Sequence, residues 1–408
     1  MKPRVSIVIP VYNGTNYMRD AIDSALNQTY ENCEVIVVND GSTDKGETAR
    51  VAKSYGDKIR YIEKENGGVA TAVNMGIQRM TGDYFAWLSH DDMFTPDKIE
   101  KQMSAIEAAG RPDAIVHSNF TFWYMEDDRR VNVDWLEQYN REQLENSCFA
   151  PVFLAVHGST VLIHRSHFER VGLYDTKLLA TQDSEFLFRV MRGQKSIFVQ
   201  ENLMISRIHK EQGQQTMACH GLEYNDMFIA FCEALSADEK IEMCGSVRNF
   251  YYRLYLLLKY SRPANRILEY LRKKLDDSSE AGNTETLGYK RPEHIWGASD
   301  IREVYIFGAG QMGREMQLML ESYDIALCGF IDNAKSKQGT LINGKQCYAP
   351  EYLPGRKNFL VIVAMMDTEE VVHQLEAMRI ANIVTMGALK KVLFSVEPKT
   401  LLYKENDK

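Results

Sequence analysis

The fold is decided by the stretch Tyr84-Phe85-Ala86-Trp87-Leu88-Ser89-His90-Asp91-Asp92, an apolar run that ends in two adjacent carboxylates. An apolar run of this kind is typical of a strand that is covered on both faces, as in a parallel sheet. Open α/β sheets bind their ligands at the carboxyl ends of the strands. The sequence therefore predicts that Asp91 and Asp92 lie at a ligand-binding edge of such a sheet.

Strands and helices alternate along the first 110 residues. Short β-branched runs predict strands at 5–10, 35–38 and 59–62. Three helices are predicted. The first begins near residue 16, the second ends at about residue 56, and the third covers 69–80. Thr95 and Pro96 are a suitable N-cap and first residue for a further helix that ends near 110. This alternation predicts an α/β fold with a mainly parallel sheet and right-handed crossovers.

Polar residues follow three of these predicted strands. They are Tyr12 and Asn13 after the first strand, Asp40 after the second, and Asp91-Asp92 at the end of the opening stretch. Because the carboxyl ends of parallel strands meet at one edge, these residues are expected to lie close together. Asn66-Gly67-Gly68 opens a helix with small side chains in its first turn, which lets an anion approach the backbone N–H groups.

Asp91-Asp92, taken alone, leaves two interpretations open. Asp is common at strand exits and turns, so the pair can simply form a loop. Two carboxylates at the end of a buried strand are nevertheless costly unless they are neutralised. Mg²⁺ or Mn²⁺, bound to one or two carboxylates and to diphosphate oxygens, would neutralise them. Asp40, taken alone, is more typical of a helix N-cap than of a ligand contact.

The region 113–215 is less regular, but it contains two further candidates. Asp183 lies in the first turn of a helix that starts near Thr181. It is either a carboxylate favoured by the helix dipole or a general base beside an incoming hydroxyl group. His209 is either a packed or surface histidine or a ligand. From about 222 to 275 the pattern is helical and rich in Tyr, Leu and Arg.

A second α/β unit follows the polar segment 276–300, which is predicted to be a linker. Strands are predicted at 304–307, 327–331 and 359–364. Gly308, Gly310 and Gly313 form a dinucleotide fingerprint, and Asp332 follows where a ribose-binding acid belongs. Two interpretations of this unit are open. Either it binds a nucleotide or NAD, or it is a Rossmann-like fold without a cofactor, whose glycines only allow close packing of the helix on the strand.

Length, charge and cysteine content set further limits. The 408 residues predict two or three domains. A net charge of −8 argues against a nucleic-acid partner, and seven scattered cysteines suit a reducing compartment. There is no signal-peptide pattern and no run of 18 apolar residues. A cytoplasmic location is therefore expected, with peripheral contact at the inner face of a membrane and an oligomeric state both left open.

The first 215 residues resemble the family-two inverting glycosyltransferases of the GT-A fold. The matching stretches are Ser6-Ile-Val-Ile-Pro-Val-Tyr-Asn13, Val37-Val-Asn-Asp-Gly-Ser-Thr-Asp44, Glu65-Asn-Gly-Gly68 with Asn74 and Gly76, Gly82-Asp-Tyr-Phe-Ala-Trp-Leu-Ser-His-Asp-Asp92, and Gln182-Asp183. The resemblance implies transfer of a sugar from a nucleotide-diphosphate sugar, expected to be UDP-linked, to a saccharide or lipid-linked saccharide acceptor. It also implies Mn²⁺ or Mg²⁺ as the cofactor, and a role in making a surface polysaccharide or glycoconjugate.

The resemblance further implies a role for each matching residue. Asp183 stands where the family has its catalytic base, and Asp92 stands where it has a metal ligand. Asp91 is implied in binding the ribose or the metal, and His209 is a further candidate for the metal. The residues implied in binding the nucleotide are Pro10, Tyr12, Asn13, Asp40, Asn66, Gly67 and Asp91.

Three positions depart from the family pattern. Ser89 stands where many members have Asp, which predicts a metal site with fewer carboxylates. Val73 stands where many have Arg, so that one contact to the nucleotide is missing. Gln182 often has Glu as its counterpart, so the support of Asp183 is expected to differ.

The C-terminal unit resembles the nucleotide-sugar-binding Rossmann-like domains attached to some bacterial sugar-modifying enzymes, in Phe330-Ile-Asp-Asn333 with Lys337, Gly344 and Pro350. The predicted organisation is a GT-A domain at 1–215, a helical extension at 216–275, a linker at 276–300, a Rossmann-like domain at 301–395 and a polar tail at 396–408. Two alternative functions remain. One is an inactive nucleotide-sugar-binding or scaffold protein, and the other is an NAD-linked sugar oxidoreductase acting through the C-terminal domain.

Overall fold

The computed structural model describes residues 2–210, 219–259, 265–280, 301–322, 325–365 and 368–393. The chain folds into two compact units. The first comprises 1–136, 140–243 and 250–275, and the second comprises 137–139, 244–249 and 276–408. The predicted α/β fold, with helices and a second, smaller sheet, is confirmed.

The strands up to residue 210 are β1 Val5–Val11, β2 Cys33–Asp40, β3 Arg60–Lys64, β4 Tyr84–Trp87, β5 Met93–Phe94, β6 Val116–Tyr124, β7 Arg129–Asn132, β8 Leu162–His164 and β9 Ile197–Ile208. The helices up to residue 280 are α1 Met18–Leu26, α2 Glu47–Lys53, α3 Val69–Arg79, α4 Lys98–Ala109, α5 Arg141–Glu145, α6 Phe149–Val152, α7 Ser166–Val171, α8 Gln182–Met191, α9 His220–Ala234, α10 Ala237–Cys244, α11 Val247–Leu258 and α12 Asn265–Glu280.

The first sheet has the order β3-β2-β1-β4-β8-β6-β9-β5, with β7 paired to β6. The part that carries the predicted site, β3-β2-β1-β4, is parallel throughout. Val5 of β1 is in register with Cys33 of β2 and with Tyr84 of β4. The carboxyl ends of these strands therefore open at one edge, which receives the residues after Val11, Asp40 and Trp87.

The core of the first unit explains why β1 is central. Every residue of β1 is buried, and Ile7 and Ile9 are fully inaccessible. Burial of side chains of this size stabilises the fold by about 1.5–3 kcal/mol each. Helix α3 packs so closely on β1 that a Cβ on Gly76 would lie 2.3 Å from Val8 Cγ1. A side chain at position 76 would therefore push α3, and the loop before it, away from the sheet.

The predicted start of the fourth helix is wrong. Helix α4 begins at Lys98, its N-cap position is Asp97, and no side chain caps it. Thr95 instead continues the strand pairing of β5 with β9, because its backbone N–H donates to the Leu203 carbonyl at 3.1 Å. Its hydroxyl donates to Asp97 Oδ1 at 2.8 Å. Tertiary strand pairing thus overrode a suitable local capping sequence.

The second unit contains a smaller sheet. Its strands are β10 Glu303–Phe307, β11 Gly329–Ile331, β12 Leu341–Ile342, β13 Lys345–Tyr348, β14 Phe359–Val363 and β15 Ile383–Thr385, in the order β12-β13-β11-β10-β14-β15. All pairings are parallel except that of β12 with β13. Its helices are α13 Gln311–Ser322, α14 Glu369–Ala377 and α15 Met386–Leu393. A Cβ on Gly313 would lie 1.8 Å from the Gly308 carbonyl oxygen, so this glycine is required where α13 crosses β10.

Helix α12 ends at Glu280, five residues into the predicted linker. Residues 281–300 and the tail 396–408 lie outside the described residues. Within the ranges that the structure describes, no helix is long and apolar enough to span a bilayer.

Candidate active site at the carboxyl edge of the first sheet

Asp40, the last residue of β2, is almost completely buried and its carboxylate is fully engaged. Oδ1 accepts hydrogen bonds from Lys64 Nζ at 2.5 Å and from the Gly67 N–H at 3.1 Å. Oδ2 accepts from the Gly68 N–H at 2.8 Å. The Asp40 carbonyl also accepts from Asn66 Nδ2 at 2.9 Å. Asp40 thus holds the loop that precedes α3, with 3% of its surface exposed.

The turn after β1 is tied to the turn after β2. Asn13 adopts a left-handed backbone conformation with φ 49°. Its Oδ1 accepts from the Thr43 N–H at 2.8 Å, and its own N–H donates to Ser42 Oγ at 2.9 Å. The Tyr12 ring is 44% exposed, with its hydroxyl 3.4 Å from Thr43 Oγ1. An exposed aromatic ring held at this edge is free to stack on a flat ligand group.

Asp91 faces a histidine. Its Oδ2 lies 3.1 Å from Nε2 of His209, the residue that directly follows β9. Burial acts to raise the pKa of the Asp91 carboxyl, but the hydrogen bond from His209 and the nearby His90 outweigh it and hold this pKa below its usual value. Asp91 therefore carries its negative charge in a largely enclosed position.

Asp92 is buried beside Asp91. Its Oδ1 accepts from the Arg207 backbone N–H at 3.0 Å, and Ser206 also hydrogen-bonds to it. Burial and the negative charge of Asp91 together raise the pKa of Asp92 well above its usual value, against the opposing effects of Arg207 and Ser206. A buried carboxyl group whose ionisation is opposed by its neighbour in this way would be stabilised in its charged form by an additional cation.

Arg207 is the fully buried cation of this region. Nη1 donates to the Asp91 carbonyl at 2.9 Å and Nη2 donates to Asp20 Oδ2 at 2.5 Å. The guanidinium lies between the rings of Tyr17 and Trp123, at 4.9 and 5.2 Å from their centroids. Arg207 thus fixes the backbone of the acidic pair, while its charge is shared with an aspartate outside that pair.

The residues present fit a divalent ion only in part. Among the residues that the structure describes, no group of three or more His, Cys, Asp or Glu side chains is arranged to hold a metal. Asp91 and Asp92 can supply carboxylate oxygens, and Mg²⁺ commonly takes one or two carboxylates with the remainder from phosphates and water. His209 Nε2 faces Asp91 Oδ2, so its position here is that of a hydrogen-bond partner of the carboxylate.

A short turn at Gly158–Thr160 connects the acidic pair to Asp183. Ser159 Oγ lies 3.5 Å from Ser89 Oγ, which precedes the pair. A Cβ on Gly158 would lie 3.6 Å from Trp87 Cε3 and 3.7 Å from Asp183 Oδ2. The absence of a side chain at 158 therefore leaves Asp183 adjacent to the end of β4.

His157, which precedes this turn, is influenced by carboxylates from both directions. Burial lowers the pKa of His157, and the charges of Asp183 and Asp91 oppose that effect. Its Nδ1 accepts from the Ser159 N–H at 3.2 Å. The charges of Asp183 and Asp91, which are 92 residues apart in the sequence, thus both act on one imidazole ring.

Asp183 itself is half-buried in the first turn of α8. Its Oδ1 accepts from the Ser184 N–H at 2.7 Å. Gln182 is 6% exposed, and its Oε1 is buried with no hydrogen-bond partner within the described parts of the chain. A glutamate at 182 would place a further negative charge at this buried position next to Asp183, and Gln182 avoids that cost.

Asn74 braces the loop that leads to α8. Its Nδ2 donates to the Tyr174 carbonyl at 2.9 Å, and its Oδ1 accepts from the Tyr174 N–H at 3.0 Å. The Tyr174 ring in turn stacks on Phe186 of α8 at 4.0 Å and contacts Trp87 edge-on. Val73 is completely buried. Helix α3 therefore uses its inner face to position the elements around Asp183.

The corresponding edge of the second sheet is organised around Asp332. Its Oδ2 accepts from the Ala309 N–H at 2.8 Å and from Lys337 Nζ at 2.9 Å, and its Oδ1 accepts from the Ala334 N–H at 2.8 Å. These bonds hold the pKa of Asp332 below its usual value although burial acts to raise it. A Cβ on Gly310 would meet nothing within 4 Å, so the space beside this glycine is open.

Some residues of the site were not predicted from the sequence. Lys64 neutralises Asp40, Arg207 fixes the acidic pair, and Glu223 binds the chain just before α8. Arg207 lies two residues before His209, which the sequence did single out. Lys64 ends a strand and Glu223 lies in the first turn of a helix. No motif in the sequence marks either residue, and only the fold shows their partners.

Comparisons with known proteins give a consistent result for the first unit. The model of the family described as Glycosyl transferase family 2 matches residues 6–172. An uncharacterized glycosyltransferase of Rickettsia prowazekii is 43% identical over 257 residues, which cover 63% of this chain and 80% of the relative. An uncharacterized glycosyltransferase of Rickettsia bellii is 42% identical over 260 residues, which cover 62% of this chain and 36% of the relative. The chain thus spans most of one relative and about a third of the other.

Solved structures are more distant. Staphylococcus aureus TarS 1-349 in complex with UDP-GlcNAc has a TM-score of 0.46 at 15% identity, covering 67% of this chain and 88% of that one. The mannosyltransferase PcManGT from Pyrobaculum calidifontis, in complex with GDP-Man and Mn²⁺, has a TM-score of 0.48 at 18% identity, covering 69% and 76%.

Proposed function

Because the chain belongs to glycosyl transferase family 2, we propose that it transfers a sugar from a nucleotide-diphosphate sugar to an acceptor hydroxyl with inversion at the anomeric carbon. The observation that carries this proposal is that the turn at 157–160 lies against both Asp183 and Ser89, the residue two positions before the Asp91-Asp92 pair. One half-buried carboxylate and an enclosed acidic pair are therefore proposed to share a site at the carboxyl edge of the sheet, where such sheets bind their ligands.

Asp183 is the proposed general base. As the acceptor oxygen bonds to the anomeric carbon, the acceptor proton passes to the Asp183 carboxylate. The bond between the anomeric carbon and the diphosphate oxygen breaks, and the nucleoside diphosphate leaves from the opposite face with both bonding electrons. Gly158 leaves the space beside Asp183 Oδ2 that an acceptor hydroxyl requires.

Asp91 and Asp92 are the residues proposed to hold Mn²⁺ or Mg²⁺ together with the diphosphate oxygens. The ion, when bound, would offset the charge that develops on the leaving diphosphate. His209 keeps Asp91 ionised and oriented, and Arg207 fixes the backbone of the pair. A cation at this place would also relieve the repulsion that raises the pKa of Asp92.

The nucleotide is proposed to lie along the turns after β1 and β2. The exposed Tyr12 ring supports stacking of a base there, beside Asn13 and the loop of Asn66 and Gly67. Asp40 shapes this pocket by holding the 64–68 loop. The proposed donor is UDP-linked, and the proposed acceptor is a saccharide or a lipid-linked saccharide of a surface polysaccharide or glycoconjugate.

A thermal-shift panel of UDP, GDP, TDP and CDP sugars, each with and without Mn²⁺, tests the donor class. We expect one nucleotide to raise the unfolding temperature in a Mn²⁺-dependent way, because a ligand that binds only the folded state stabilises it. That donor is then incubated with the protein and Mn²⁺ to measure its hydrolysis. Binding without any turnover of the donor, in hydrolysis or in transfer to saccharide acceptors, would support an inactive binding protein instead.

The second unit is proposed to be a Rossmann-like domain of the nucleotide-sugar-binding type. The glycine turn at Gly308–Gly313 and the open space beside Gly310 support this assignment. The engagement of Asp332 by Ala309, Ala334 and Lys337 argues against the use of this acid to bind an NAD ribose. Titration of the full chain with NADH, followed by fluorescence, tests the oxidoreductase alternative, which predicts saturable binding.

A further inference from the structure

Helix α8, which carries Asp183, begins without a side-chain cap of its own. The N-cap position is Thr181, with φ −122°, and its side chain makes no capping hydrogen bond. The backbone N–H groups around a helix start require partners from elsewhere. For the three residues that lead into α8, that partner is a single carboxylate on another helix.

The carboxylate belongs to Glu223, in the first turn of α9. It accepts from the Leu179 N–H at 3.0 and 3.2 Å, from the Ala180 N–H at 2.8 Å and from the Thr181 N–H at 3.2 Å. The Thr181 hydroxyl donates to it at 3.3 Å. Successive backbone N–H groups that point the same way form a concavity suited to an anion, and Glu223 fills it.

The charge of Glu223 matters to this contact. Burial acts to raise the pKa of Glu223, but the hydrogen bonds from Ala180, Leu179 and Thr181 outweigh it and hold the pKa below its usual value. Hydrogen bonds that involve an ionised group are about twice as strong as neutral ones. The segment 179–181 is therefore held by an anionic clamp and not by a neutral cap.

The clamped segment lies between the two halves of the proposed site. Two residues beyond Thr181 is Asp183. At the other end, Leu179 is 48% exposed, and its Cδ2 lies 3.8 Å from where a Cβ on Gly68 would stand. Gly68 donates its N–H to Asp40 on the proposed nucleotide side. A shift of this segment would move Asp183 without breaking any contact of the acidic pair.

The opposite end of α8 provides an internal control. Arg192, which follows the helix, pairs with Glu239 of α10 at 2.7 and 2.8 Å. The helical region thus holds α8 at both ends by a glutamate. Only the Glu223 contact lies next to Asp183, whereas Glu239 acts at the far end of the helix from it.

We propose that Glu223 is a positioning residue for the transfer reaction: its carboxylate fixes the 179–181 segment and thereby holds Asp183 against the acceptor hydroxyl. This rests on the proposed role of Asp183 as the base. It assigns the helical region after residue 219 a share in catalysis, through the geometry of the base and without contact to the substrate.

Steady-state kinetics of Glu223→Gln and Glu239→Gln test the proposal, with the donor that the thermal-shift panel identifies. For Glu223→Gln we expect kcat to fall on the order of 10–100-fold, because a displacement of about 1 Å is enough for such a loss. Its donor KM and calorimetric donor affinity should stay at wild-type values. Glu239→Gln should lower the unfolding temperature with kcat retained.

Glu223→Asp keeps the charge on a shorter side chain and should recover part of the kcat that Glu223→Gln loses. It also serves if Glu223→Gln does not fold. Wild-type kcat in Glu223→Gln, or an equal loss of kcat in both Gln variants, would overturn the positioning role. If Asp183→Asn retains wild-type turnover, the base assignment fails instead, and the two failures are thereby distinguished.

Discussion

Asp40 in the first sheet and Asp332 in the second are bound in the same way. Each ends or follows a buried parallel strand, and each carboxylate accepts from one lysine and two backbone N–H groups. In both cases the bonds close a glycine-containing loop at the edge of the sheet. By sequence pattern, both aspartates are candidates for ligand binding, and in both the structure uses the carboxylate to shape a loop.

The two edges differ in what else they carry. At the first edge, Asp91 and Asp92 follow β4, and the turn at 157–160 lies against both Asp183 and Ser89. Asp40 and Asp332 each pair with a lysine, whereas Asp91 pairs with His209 and Asp92 has no lysine partner among the described residues. A strand-end aspartate next to a glycine turn is thus a weak indicator of chemistry, whereas a buried pair of adjacent carboxylates is a stronger one.

The largest effect should come from Asp183→Asn. Loss of a general base typically costs about 10²–10⁴-fold in rate, so transfer should fall by that factor. The amide keeps the shape of the side chain, and nucleotide binding should be unchanged by calorimetry. A variant that turns over at the wild-type rate would show that Asp183 is not the base.

Asp92→Asn should have the next largest effect. It removes one of two carboxylates proposed to hold the metal, and we expect Mn²⁺-dependent donor affinity to fall about 100-fold. Calorimetry with Mn²⁺, and again with EDTA, measures this. Asp20→Asn is the matched control, since Asp20 pairs with Arg207 from outside the acidic pair and is half-exposed. Equal donor affinity with and without Mn²⁺ in the wild type would contradict the metal assignment.

Asp40→Asn should act mainly on stability. It leaves Lys64, whose side chain is 16% exposed, without its anionic partner and weakens bonds from two backbone N–H groups. We expect a loss of about 2 kcal/mol, since hydrogen bonds to charged groups contribute about that much. Hydrogen exchange should accelerate at the amides of Gly67 and Gly68. Unchanged exchange at both amides would show that Asp40 does not hold this loop.

Asp332→Asn should give the smallest effect. Its partner Lys337 is 38% exposed and can return to water, so we expect a loss of about 1 kcal/mol. Hydrogen exchange should accelerate at the amides of Ala309 and Ala334, while kcat stays at the wild-type value. A fall in kcat as large as that of Asp92→Asn would indicate that the second edge takes part in transfer.

Local patterns predicted most of the strands and helices correctly, because the spacing of apolar side chains within one helix or strand depends only on that element. The buried run at Tyr84–Trp87 is a strand of a parallel array, and the helical spacing after residue 16 is α1. The start of α4 was mispredicted because Thr95 is bound by Leu203, 108 residues later. A capping signal is local, whereas the strand pairing that displaced it is not.

The sequence by itself determined that two carboxylates end a buried strand and that a third opens a helix, since adjacency along the chain suffices for both. Only the tertiary structure decided which carboxylates are neutralised. The partners lie far away in sequence: Lys64 is 24 residues from Asp40, and His209 is 118 residues from Asp91. Charge neutralisation depends on distance in space, and a strand-end aspartate becomes a loop anchor or a reactive group according to what the fold places next to it.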